Sequence, residues 1–134
     1  MKVFVSLVFV FFSFVASAQQ AIVSNGRSSV TIDNSGFSIE LSDSFFKTTE
    51  IVAKLIDENG KTIPSTRANI VIQPKKGDAA VYAMTNKKSE FHFMTKNINL
   101  KQQLSSGTRV FFSFEPFNKV KYPKLFPPYV IFIQ

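Results

Sequence analysis

From residue 30 onward, apolar side chains recur at every second position in one stretch of the chain after another. Val30 and Ile32 alternate with Thr31 and Asp33, and beyond an Asn34-Ser35-Gly36 turn, Phe37, Ile39 and Leu41 alternate with Ser38 and Glu40. A period of two puts alternate side chains on opposite faces of an extended backbone, so both stretches predict half-buried strands. Residues 50–56 repeat the pattern with Ile51, Ala53 and Leu55 on one face. Asp57-Glu58-Asn59-Gly60 ends it with an Asn-Gly pair suited to positive φ. The chain should return from Lys61 as the hairpin partner. Pro64, which has no backbone N–H, interrupts the return, so pairing is expected to resume over residues 68–73.

The segment Pro74-Lys75-Lys76-Gly77-Asp78 is turn chemistry, and Val81 and Tyr82 then favour an extended backbone over residues 79–84. A turn at 86–89 leads into residues 90–94, where Phe91 and Phe93 face one side and Glu90 and His92 the other. Between residues 99 and 107 the spacing changes. Leu100 and Leu104 are four apart, Asn99 stands where a cap would, and Gly107 where a helix would end, which predicts a short helical turn. Val110, Phe112 and Phe114 then alternate with Phe111, Ser113 and Glu115, a loop rich in proline follows over 116–128, and residues 129–133 are apolar on both faces. Strands covered on both sides read this way. Seven or eight short strands divided by turn signals, with no long helical pattern, predict an all-β fold, an immunoglobulin-like β-sandwich or else a small barrel, of which the sandwich is the expectation taken forward.

The first 18 residues do not belong to this pattern. Met1-Lys2 gives a positive start, residues 3–15 are almost wholly apolar, and Ala16-Ser17-Ala18 is the small-residue sequence that a signal peptidase accepts. Cleavage is expected between Ala18 and Gln19, leaving residues 19–134 as one domain. The apolar run is shorter than the roughly 17–25 residues that a membrane-crossing helix needs, so no retained span is expected. The chain is therefore expected to be exported, to the periplasm or beyond. With no cysteine, the fold must be held by packing alone.

Composition narrows the chemistry. The chain carries a net charge of +7, and loss of Lys2 with the leader leaves +6. Such a balance attracts anionic partners through its long-range field, but export argues against nucleic acid as the natural one. His92 is the only histidine, so a serine nucleophile has few bases to choose from, and a tetrahedral zinc site lacks its usual ligands. Strand geometry turns His92 away from Phe91 and Phe93, toward solvent. Asp57-Glu58-Asn59-Gly60 is too short for a calcium loop, the acids form no evident pair, and no glycine-rich phosphate loop is present. No catalytic residue, metal or cofactor is expected.

Recognition chemistry concentrates in one place. Between residues 117 and 128, Lys119, Lys121 and Lys124 interleave with Phe117, Tyr122 and Phe126. Aromatics supply contact area at low entropic cost and lysines steer anions, so these six residues are the candidate binding set. The competing reading is a crossover tucked onto the core by Phe117, Tyr122 and Phe126. Residues 129–133 raise a second possibility, because an uncharged strand at a sheet edge is a template for another chain, including a second copy.

Leu104-Ser105-Ser106-Gly107-Thr108-Arg109-Val110-Phe111-Phe112 and the closing apolar strand over 128–133 resemble the C-terminal β-domains of the GldM family. These are periplasmic components of the Bacteroidetes gliding and type IX secretion machinery. The resemblance spans residues 104–134 and lacks the Gly-Pro-Asp-Gly-type turn expected before the last strand. It implies a stand-alone periplasmic β-module that packs with other proteins. The functional expectation is thus a non-catalytic module for protein binding in the bacterial cell envelope, with an anionic glycan or lipid head group held by the 117–128 loop as the alternative.

Overall fold

The alternating stretches do form strands, and their inward faces share one core. The structure, a computed structural model, describes residues 19–34, 38–97, 104–122 and 129–134. The expected leader, most of the expected helical turn including Asn99, and the candidate residues Lys124 and Phe126 lie outside the described residues.

Ten strands are present among the described residues: β1 (Gln20–Ser24), β2 (Ser29–Asp33), β3 (Ile39–Leu41), β4 (Glu50–Ile56), β5 (Ser65–Gln73), β6 (Ala80–Ala83), β7 (Thr85–Lys87), β8 (Glu90–Met94), β9 (Arg109–Pro116) and β10 (Tyr129–Ile133). They make two five-stranded sheets, ordered β2-β1-β4-β8-β7 and β3-β10-β9-β5-β6, in a sandwich-like arrangement. Apart from β3, which runs parallel to β10, every pairing is antiparallel.

The inner faces meet through aromatic rings. Phe91 of β8 meets Phe114 of β9 edge-on with centroids 5.9 Å apart, and Tyr82 of β6 lies 5.7 Å from Phe93 of β8. Around them Ala21, Val23, Ile51, Leu55, Ile70, Ile72, Phe112, Ile131 and Ile133 are almost completely enclosed. Burying one such large apolar side chain contributes about 1.5–3 kcal/mol, which is how a chain without cysteine can hold together.

Two expectations are corrected. The strands number ten, not seven or eight. β1 was missed because its five residues border the leader, and β7 because Thr85-Asn86-Lys87 is polar and wholly exposed, with no apolar signal to read. Nor do residues 61–73 return as the hairpin partner of β4. Asp57 closes a tight turn, its Oδ1 accepting from Asn59 N (2.9 Å) and Lys61 N (3.0 Å), with Gly60 at φ 80°. Pairing continues only as far as an Ile56–Thr62 bridge and the bond from Ile63 N to Leu55 O. Pro64, which cannot donate, follows at once, and β5 crosses into the opposite sheet. His92 does face away from Phe91 and Phe93, and it stands half-buried between two glutamates.

β10 lies inside its sheet, with β9 on one side and β3 on the other. Its parallel partner covers residues 131–133. No helix among the described residues is long and apolar enough to cross a membrane.

Candidate binding surface at the loop end

The strand registers bring three connections to one end of the sandwich. β4 leaves at Ile56 and β5 enters at Ser65, which pairs with Pro116 at the end of β9. β7 turns into β8 through Lys88 and Ser89, between the paired Lys87 and Glu90. The 117–122 segment follows β9 at this same end.

Hydrogen bonds fasten the three together at Pro64 and Ser65. Phe117 N donates to Pro64 O at 3.0 Å, and Ser65 N donates to Ser89 Oγ at 3.0 Å. Asn86 Nδ2 donates to Ser65 O (3.2 Å) and Thr66 O (3.1 Å), while its Oδ1 accepts from Ser89 N at 2.8 Å. One asparagine thus spans both sheets. Thr66 is an extra residue in the β5–β9 ladder, and its hydroxyl donates to Glu115 O at 3.0 Å. Such a bulge bends a strand locally, here where the loops converge.

Within the 117–122 segment, Asn118 builds a compact turn: its Oδ1 accepts from Lys121 N (3.0 Å) and its carbonyl from Tyr122 N (2.9 Å). The turn sorts the candidate residues. Tyr122 packs against the core, with the Lys121 ammonium 5.2 Å from its ring centroid. Lys119 pairs with Glu115 at 2.9 Å, and Glu115 also holds Arg67 at 2.7 Å. Phe117 and Val120 point outward, 65% and 96% exposed; among the described residues only Val81, on β6, is a comparably exposed large apolar side chain. The tucked-in reading therefore holds for Tyr122 and fails for Phe117.

His92 has both ring nitrogens beside carboxylates. Nε2 lies 3.0 Å from Glu90 Oε1, and Nδ1, buried and without a hydrogen bond, lies 3.2 Å from Glu50 Oε1. The two carboxylates sit on opposite edges of the ring and do not converge on one point. Elsewhere, burial and then the nearby charge of Asp33 push the Tyr129 phenol well above the ordinary tyrosine range.

Sequence reasoning missed a second recess, at the opposite end. The β1–β2 turn and residues from Lys47 to Val52 line an open cleft of about 550 Å³. Its one sequence signal is the Asn25-Gly26 pair, which marks a turn without saying what the turn faces.

No family model, no curated protein and no solved structure matches this chain.

Proposed function

We propose that the chain is an exported, non-catalytic β-sandwich module of immunoglobulin-like topology, which binds protein through its joined loop end as a structural or adaptor part of the bacterial cell envelope. The observation that carries the reading is the outward placement of Phe117 and Val120 on a turn braced by Asn118, beside the 57–64 and 88–89 turns. Apolar side chains on a rigid platform gain contact area from a partner without a large ordering cost. Interfaces are centred on such anchors.

The topology supports the same reading. Strands β1-β4-β8-β7 follow the A-B-E-D order of an immunoglobulin sheet and β10-β9-β5-β6 follow G-F-C-C′, with β2 as an added edge. In that scheme the 57–64 and 117–128 connections are the B–C and F–G loops, which share the binding end of variable domains. Cleavage after Ala18 would remove no described strand, since β1 begins at Gln20. The likeness of residues 104–134 to the GldM family's C-terminal domains points to a similar packing role. A catalytic reading gains nothing from His92, whose two nitrogens both face glutamates.

The anionic-ligand alternative is weaker at this end, because Glu115 offsets the charge of Lys119. Self-association along residues 129–133 is weaker too, because β3 already lies along residues 131–133 of that strand. The test is affinity capture from envelope extracts of the host with the mature chain and two double variants. Phe117→Ser with Val120→Ser should keep the fold and lose the specifically captured protein, whereas Lys119→Glu with Lys121→Glu should retain it. Loss in the charge variant alone would favour the anionic ligand.

A further inference from the structure

The cleft at the far end of the sandwich is independent of the loop-end reading. Ser24, Gly26 and Arg27 form one wall, and Lys47, Thr48, Thr49, Glu50 and Val52 the other. Both walls are built. Asn25, itself buried, accepts from Arg27 N (2.9 Å) and Ser28 N (2.8 Å) through Oδ1 and donates through Nδ2 to Phe45 O (3.0 Å), two residues before Lys47. One side chain therefore ties the Arg27 wall to the Lys47 wall. The opposite wall is anchored by Thr95, whose N donates to Thr49 O at 3.1 Å and whose hydroxyl donates to Thr48 O.

The charges are not spent on one another. Among the described residues Arg27 makes no ion pair, and Lys47 makes one exposed contact, with Asp43 at 3.5 Å, a kind of pair that contributes little. Two cations with neighbouring hydroxyls suit a carboxylate. Glu50 in the same cleft repels a bare anion but accepts hydrogen bonds from hydroxyl groups, and Val52 offers an apolar surface to C–H bonds. A volume of about 550 Å³ falls among pockets for small ligands, roughly 300–1,000 Å³.

We propose that this cleft binds a sugar acid, with its carboxylate between Arg27 and Lys47 and its hydroxyls on Glu50, Thr48 and Thr49. Glu50 Oε1 lies 3.2 Å from His92 Nδ1, a contact that holds its carboxylate at the cleft wall.

Glucuronate is the probe, titrated into the mature chain and followed by amide NMR shifts, with glucose as the neutral control. Saturable shifts should centre on Gly26, Arg27, Thr48 and Thr49. Arg27→Ala and Lys47→Ala should each weaken binding about tenfold or more. The fold of each variant is checked by the unchanged spectrum elsewhere. Shifts that do not saturate, that spread over all the lysines, or that survive Arg27→Ala overturn the site.

Discussion

At the residue scale, Tyr129 shows how burial becomes a pH response. Its ring is enclosed against Phe114, centroids 5.8 Å apart, and burial together with the charge of Asp33 raises the phenol's proton affinity in the folded state. A group whose folded value is raised stabilises fully below its unfolded value, near pH 10 for tyrosine, and that stability is lost as pH rises beyond it. In an alkaline titration followed at 295 nm, one tyrosinate should therefore appear only together with unfolding above roughly pH 10. Tyr129→Phe should lack that step. The inward apolar residues, such as Phe91, Phe93, Phe112 and Phe114, were legible because period two alone fixes their side of the strand. Asn25 and Asn86 were not. Their partners lie 20 or 21 residues away in sequence, at Phe45, Ser65 and Thr66, and a polar side chain carries no pattern that names a distant carbonyl.

At the scale of elements, the β7–β8 turn is the least comfortable piece of backbone. Lys88 and Ser89 both hold positive φ, 56° and 66°, as a two-residue turn of the primed type requires and as Asn or Gly would adopt more readily. Lys88→Asn should raise stability by on the order of 0.5–1 kcal/mol in denaturant unfolding, with no change in the Ser65–Ser89 contact. A loss of stability would mean that the turn relaxes to another shape in solution. Turn positions were legible from composition, but the strands that the turns join were not. β2 and β3 look like a hairpin in sequence and lie in different sheets, and β4 and β5 part at Pro64. A hydrophobic period marks a buried face without saying which sheet owns it. The last strand illustrates the same limit: an apolar run on both faces fits an edge awaiting a partner or a strand already flanked, and only β3, three residues long, decides between them.

For the whole molecule, the division of labour follows from where the chain leaves apolar surface. The core is shared by both sheets, β10 is held within its sheet, and the outward apolar residues Phe117 and Val120 gather where three connections are hydrogen-bonded into one platform. The all-β class and the loop were legible in the sequence; the platform was not, because it depends on Asn86, Ser89 and Pro64 meeting across the sandwich. The proposed protein partner at this end can be sought by site-specific photo-crosslinking in the native host, with a photoreactive phenylalanine analogue placed at Phe117 or Val120 and, for comparison, at exposed Thr31 on β2. A discrete protein adduct formed at positions 117 and 120 and absent at 31 is the predicted result. Adducts at 31 alone, or none at the loop end under conditions where the chain is folded and exported, would contradict it.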